Sequence, residues 1–278
     1  MAILLDGKAT AEKIRKRLAE ETKKLPEKPG LAAILVGSNP ASKIYVDIKE
    51  KTCKEVGIYS ERHNLPENTD GKELIALIEG LNAKSSIHGI LLQLPLPGHI
   101  NTQTALDIIS PAKDVDGFTS RSVAKLAAGN EDNVPCTPKG IIRLLEEYKI
   151  PIASRHAVVV GRSMIVGKPT AAMLLNRNAT VTICHSKTPD LGNYTRQADI
   201  LIVAAGKPKL VTAEMVKQGA AVVDVGINKV DGGIAGDVDF ESCKGKAGWI
   251  SPVPGGVGPM TVAMLLENTL NCYKGIEG

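Results

Sequence analysis

Apolar and polar residues alternate along this chain at two periods, and the switches between them mark a series of strands and helices. Largely apolar stretches at Leu31 to Val36, Ile87 to Leu94, Val158 to Val160, Thr180 to Cys184, Asp199 to Ala205 and Ala220 to Ile227 read as strands. No polar residue interrupts Val158 to Val160, the pattern of a parallel strand buried on both faces, and Leu31 to Val36 and Ile87 to Leu94 also read as buried. Amphipathic stretches predict helices over Ala9 to Leu25, Pro40 to Val56, Lys72 to Asn82, Pro169 to Leu175 and Met260 to Lys274. Strand and helix alternate, so the fold class is α/β. Two stretches rich in glycine and proline, Ala128 to Pro138 and Ser251 to Pro259, bracket the later strands and read as linkers. The expected division is therefore residues 1–133 plus 258–278 as a first domain and residues 134–257 as a second. The last helix is assigned to the first domain because a lone amphipathic helix has nothing to bury its apolar face against.

Where one apolar run ends, a ligand site is suggested. Val158-Val159-Val160 is followed by Gly161-Arg162-Ser163 and, after Met164-Ile165-Val166, by Gly167 and the predicted helix. Glycine allows a tight turn and a close helix, and the helix start offers free N–H groups to a pyrophosphate. The spacing departs from Gly-x-Gly-x-x-Gly, so a plain strand-turn-helix fits these residues as well. After the strand Thr180 to Cys184, NAD sites place an acidic residue on the adenosine ribose. This chain has His185-Ser186-Lys187-Thr188 there, and Arg162 lies just after the first glycine. Basic and hydroxyl side chains in place of a carboxylate favour the extra phosphate of NADP. Lys187 also reads simply as a solvated loop charge. Gly206-Lys207-Pro208 and Gly226-Ile227-Asn228 end two further strands and are either walls for the nicotinamide half or turns only.

The first domain carries separate chemistry. Asn39 is a suitable N-cap for the helix from Pro40, and Gly57 follows its end. Ile44, Ile48 and Val56 read as its apolar stripe, with Tyr45 and Lys49 four residues apart on one face. Such a pair is a lysine covering a packed ring or a functional phenol and amine. Gln93 is a polar amide at the end of an apolar strand, where burial demands partners. Lys113-Asp114-Val115-Asp116-Gly117-Phe118 sets two carboxylates before a glycine, as in an Asx-type turn. A calcium loop needs further ligands that are missing, so no metal is assigned.

Composition narrows the classes. The 278 residues carry a net charge of +4, with 43% apolar, 23% charged and only 3% aromatic residues. The charge is spread and aromatics are scarce, against a nucleic-acid platform. No run approaches the about 20 apolar residues of a membrane span. Met1 to Thr10 holds a brief apolar patch without a basic flank or cleavage pattern. Five cysteines without paired spacing suit a reducing cytoplasm.

Taken in order, Tyr45-x-x-x-Lys49, Leu91-Leu92-Gln93-Leu94-Pro95-Leu96-Pro97, Lys113 to Phe118, Pro135-Cys136-Thr137-Pro138, Gly161-Arg162-Ser163 and Pro252-Val253-Pro254-Gly255-Gly256-Val257-Gly258-Pro259-Met260-Thr261 closely resemble the bifunctional methylenetetrahydrofolate dehydrogenase/cyclohydrolase family. The match spans nearly the whole chain. The resemblance implies two α/β domains around a folate cleft, the second a Rossmann-like NADP domain. It implies Tyr45 stacked on the substrate's aminobenzoate, Asp116 on the pterin, and Lys49 as the catalytic amine beside Gln93. Leu92, Leu94, Pro254, Gly255, Gly256, Val257 and Gly258 are implied at the substrate. Gly161, Arg162, Ser163, Ser186 and Ile227 are implied at NADP. The resemblance also implies a homodimer acting on tetrahydrofolate one-carbon derivatives, without nucleic acid or membrane. Ser122 and Ala124 stand where the family commonly has asparagine and glycine, which leaves the turn after Phe118 open. Other readings of the same residues are an NADP dehydrogenase for another small substrate, with Tyr45 and Lys49 as its proton-transfer pair, and a nucleotide sensor without turnover.

Overall fold

The valine run ending at Gly161 lies within a six-stranded sheet, as its lack of polar interruption requires. The computed structural model describes residues 2–277, the side chain at position 41 apart. In chain order its strands are β1 (Ile3–Leu4), β2 (Gly30–Val36), β3 (Tyr59–Leu65), β4 (Gly89–Leu92), β5 (His156–Val160), β6 (Thr180–Cys184), β7 (Ile200–Val203), β8 (Ala221–Asp224), β9 (Asn228–Val230), β10 (Gly233–Ala235) and β11 (Trp249–Ile250). The large sheet has the order β1-β11-β8-β7-β5-β6, and every pairing in it is parallel. From β5 the chain steps out to β6 on one side and then returns to β7 on the other. The strand order reverses between β5 and β7, where a crevice opens at the carboxyl ends of the strands. β9 and β10 form a separate antiparallel hairpin. A three-stranded parallel sheet, β3-β2-β4, makes the second core.

These sheets belong to two units. One comprises Lys13–Ala128, Asp132–Cys136 and Val262–Gly278, and the other Met1–Glu12, Gly129–Glu131 and Thr137–Thr261. The expected division into 1–133 plus 258–278 and 134–257 differs from this at both ends. Ile3 and Leu4 pair with Trp249 and Ile250, so the N-terminal apolar patch joins the large sheet. Asp132–Cys136 stays with the first unit because Asn268 Nδ2 donates to Val134 O at 3.0 Å and to Val115 O at 2.8 Å. The predicted linkers also shorten, since helices begin inside them, at Cys136–Glu147 and Val257–Glu277.

Local chemistry accounts for the helix Pro40–Val56. The Asn39 side chain accepts from Ser42 N, proline occupies the first turn, and Gly57 closes the end in a left-handed conformation at φ 79°. Its buried apolar side chains are Val46, Cys53 and Val56, whereas Ile44 and Ile48 are exposed. The predicted stripe therefore held only one residue of the packed face. β3 was not anticipated, because Ser60, Glu61, Arg62, His63 and Asn64 give it no apolar run. It is an edge strand, where charges are tolerated and discourage further pairing. Glu61 pairs there with Lys84, and Arg62 with Asp47.

Candidate active site

In the three-stranded unit, helix Pro40–Val56 and the end of β4 bring two polar side chains together. Lys49 Nζ donates to Gln93 Oε1 at 3.1 Å. Gln93 Nε2 donates to Leu94 O at 2.8 Å, so the amide is fixed at both ends with its oxygen facing the amine. Tyr45 lies one turn before Lys49, half-exposed, and burial of part of its ring pushes the phenol up from its ordinary value. Leu92 is 1% exposed and packs in the core with Ile34 and Ile90, while Gln93 and Leu94 are partly exposed.

The second component is the loop after Lys113. Buried Lys113 donates to the carbonyls of Leu81, Asn82 and Lys84, capping the end of helix Gly71–Ala83. Buried Asp114 accepts from Gly117 N, Phe118 N, Thr119 N and Ser122 Oγ. Ser122 is thus the last donor in that ring, which settles how this chain builds the turn after Phe118. Both neighbours serve the backbone and leave Asp116 as the carboxylate with no backbone duty. Burial raises its pKa to about 6, opposed by the Lys49 ammonium and by the Cys136 thiol, and reinforced by the Asp114 charge. Cys136 Sγ lies 3.7 Å from Asp116 Oδ1 and 3.4 Å from Val115 O, and Asn268 Nδ2 lies 3.6 Å from the same sulfur. Lys49, Gln93 and Asp116 are so brought into one electrostatic cluster. Cys136 and Asn268 were not among the expected site residues. Asn268 acts across 153 positions of sequence, which no local pattern reveals.

The other unit holds the expected phosphate cradle. A pocket of about 410 Å³ opens at the ends of β5, β6 and β7, in the size range of small-molecule sites. Gly161, Arg162, Ser163, Ser186 and Lys207 line it, with His185 and Thr188. Gly161 has φ 133°, and a Cβ there would meet Ala204 O at 2.2 Å; one at Gly167 would meet Gly161 O at the same distance. Only glycine permits this turn. Ser163 Oγ accepts from Val166 N and Gly167 N and so shapes the helix start. No carboxylate lines the pocket, while Arg162 and Lys207 supply positive charge, a donor set that fits NADP phosphates. Ile227 is 52% exposed in the turn after β8 and is not part of this wall.

Pro254, Gly255, Gly256, Val257 and Gly258 also fall in this unit. Gly256 has a packing reason of its own: a Cβ at Gly7 would lie 1.8 Å from Gly256 O, and one at Gly256 would lie 2.6 Å from Pro252 O. Val257 is buried, whereas a Cβ at Gly258 would enter open space.

Comparison with known proteins adds independent findings. The catalytic-domain model of tetrahydrofolate dehydrogenase/cyclohydrolase matches residues 5–116, and the NAD(P)-binding domain model of the same enzymes matches residues 135–276. The chain is 56% identical over 277 residues to the bifunctional protein FolD of Exiguobacterium sibiricum, covering 99% of this chain and 100% of that one. The crystal structure of the bifunctional FolD methylenetetrahydrofolate dehydrogenase/cyclohydrolase from Campylobacter jejuni is similar at a TM-score of 0.97, with 52% identity and 99% of each chain covered. The Trypanosoma brucei enzyme, solved with NADP cofactor and inhibitor, gives 0.94 with 40% identity, covering 99% of this chain and 98% of that one.

Proposed function

The chain belongs to the tetrahydrofolate dehydrogenase/cyclohydrolase family, and we propose that Lys49, Gln93 and Asp116 form its folate chemistry while Gly161, Arg162, Ser163 and Ser186 hold NADP. The protein oxidises 5,10-methylenetetrahydrofolate to the 5,10-methenyl form with NADP and hydrolyses that product to 10-formyltetrahydrofolate. It is an enzyme of one-carbon metabolism.

When bound, NADP supplies the hydride acceptor. Substrate nitrogen lone pairs drive the hydride out, so in this first step the chain's task is positioning. Arg162 and Ser186 would hold the phosphate oxygens of NADP, and Ile227, exposed in the turn after β8, would meet the cofactor from outside that pocket. Tyr45 stacks on the aminobenzoate, Leu94 and the backbone of the buried Leu92 flank the substrate, and Asp116 accepts hydrogen bonds from the pterin. The second step moves protons, and the observation that carries its assignment is the 3.1 Å contact from Lys49 Nζ to Gln93 Oε1. Lys49 first gives its ammonium proton to solvent; water then bonds to the methenyl carbon and loses a proton to the amine. As the bond from that carbon to N5 breaks, the ammonium protonates N5 and takes up the hydroxyl proton. Lys49 ends as the ammonium it began as, and the one proton given to solvent balances the reaction. Gln93 orients the amine throughout.

The protein acts in the cytoplasm as a homodimer joined through the coenzyme unit, apart from nucleic acid and membrane. The edge position of β6, five buried free cysteines, and the lack among the described residues of a helix long and apolar enough to span a membrane support this. The test is incubation with methylenetetrahydrofolate and NADP, followed by absorbance of both products. Lys49→Met is expected to abolish hydrolysis of methenyltetrahydrofolate while NADP affinity survives; hydrolysis near the parent rate in that variant overturns the assignment.

A further inference from the structure

Among the buried groups that this mechanism leaves unused, one carboxylate is placed to control the coenzyme. Asp237, just after the β9–β10 hairpin, is 0% exposed. Its Oδ2 accepts from Ala205 N at 2.6 Å and Gly206 N at 2.8 Å, and its Oδ1 accepts from Lys207 N at 2.9 Å and Asn228 Nδ2 at 2.8 Å. Three successive backbone N–H groups converging on one anion form a nest, an arrangement that commonly cups a ligand phosphate. Here the anion belongs to the protein. The N–H groups after β7 are therefore committed, and phosphates must be met on the other wall, at Gly161 to Ser163.

The four donors come from two segments that flank the ligand region. Ala205 and Lys207 line the pocket at the end of β7, and Asn228 follows the exposed Ile227 in the turn after β8. Asp224, at the end of β8, locks the arrangement from below by accepting from Gly226 N, Asp237 N and Val238 N. Glycine is required on both sides of this junction. A Cβ at Gly226 would lie 2.4 Å from Asp237 Cγ, and one at Gly236 would lie 1.8 Å from Asp224 Oδ2.

We propose that Asp237 is a positioning residue for NADP, its carboxylate tying the loop after β7, which lines the coenzyme site, to the turn after β8. The inference rests on reading the Gly161 pocket as that site. It separates the two activities, because hydrolysis of methenyltetrahydrofolate needs no nicotinamide.

Asp237→Asn keeps the shape but turns an NH₂ group towards N–H donors. The expected result is a rise of about tenfold in the KM for NADP in the dehydrogenase reaction, as for loss of hydrogen bonds to a charged group. The kcat/KM for methenyltetrahydrofolate hydrolysis is expected to stay within about twofold of the parent, since that reaction spares the loop. Asn228→Ala removes one donor from a partly exposed position and is expected to raise the same KM about threefold; it decides the matter if Asp237→Asn does not fold. NADP KM values unchanged in the folded variants, or equal losses of both activities, overturn the proposal. Arg162→Ala is assayed alongside. If it raises the NADP KM while Asp237→Asn and Asn228→Ala do not, only the Asp237 inference falls; if it too has no effect, the pocket reading falls first and takes the inference with it.

Discussion

Asp116 and Lys49 carry opposite charges in one cluster, yet burial still dominates the carboxyl and raises its pKa to about 6. An ionised carboxylate only accepts hydrogen bonds, whereas the protonated form gives up part of that capacity. The KM for the folate substrate is therefore expected to rise as pH falls through about 6, with the NADP KM unaffected over the same range. Asp116→Asn should have a weak folate KM that no longer changes across this window. Steady-state KM values for both substrates from pH 5 to about 8 check this, and a parent folate KM that is flat through pH 6 excludes the role. The same shift acts on stability. Ionisation is harder in the folded chain than in the unfolded one, where the carboxyl titrates near 3.8, so stability falls as pH rises from about 4 to about 6. Asp224, also raised to about 6 by burial, contributes in the same window and same direction. The urea midpoint of Asp116→Asn relative to the parent should therefore climb as pH rises over that interval, a difference from which the opposite contribution of His88, whose pKa burial lowers, cancels.

Helix Pro40–Val56 bears both Tyr45 and Lys49, and its start depends on one side chain. Asn39 Oδ1 accepts from Ser42 N at 3.1 Å, so Asn39→Ala is expected to cost about 1 kcal/mol of stability, the usual worth of an N-cap. Chemical denaturation measures it, and an unchanged midpoint removes the cap from the account. This helix also shows what was legible in the sequence. Its ends were, because asparagine, proline and glycine act through local backbone geometry. Which face it buries was not: Ile44 and Ile48 compose one apolar stripe, Val46, Cys53 and Val56 another, and only the sheet beneath decides between them. β6 was legible to the residue because its turn signals are local, whereas β3 was hidden by charges that an edge strand tolerates. At the site, Gln93 could be singled out because it breaks an apolar run, whereas Lys49 and Asp116 fit ordinary local patterns and stood out only through the family resemblance. Asn268 and Asp237 could not, since their partners lie far away in sequence or become partners only when loops close around them.

At the scale of the molecule, the boundaries between the units fall inside continuous helices. Gly7–Thr22 passes from one unit to the other after Glu12, and Val257–Glu277 does so after Thr261. If one unit unfolded alone, each helix would be cut in mid-course, leaving backbone hydrogen bonds unmade at the break and exposing apolar side chains such as Val262 and Leu265. Unfolding is therefore expected to be a single cooperative event, although the coenzyme binds through one unit. NADP at a hundred times its Kd should stabilise the whole chain by about 2.7 kcal/mol, because it binds the native state and not the unfolded one. Calorimetry with increasing NADP should show one transition moving upward in temperature. Hydrogen exchange should show slower opening of globally protected amides in both β2 and β5. Two transitions, only one of which responds to NADP, would mean that the shared helices fray at the boundary and that the units are energetically independent. Gly161→Ala supplies the control: its Cβ would fall 2.2 Å from Ala204 O, so it should lose the NADP-dependent shift whichever of these outcomes holds.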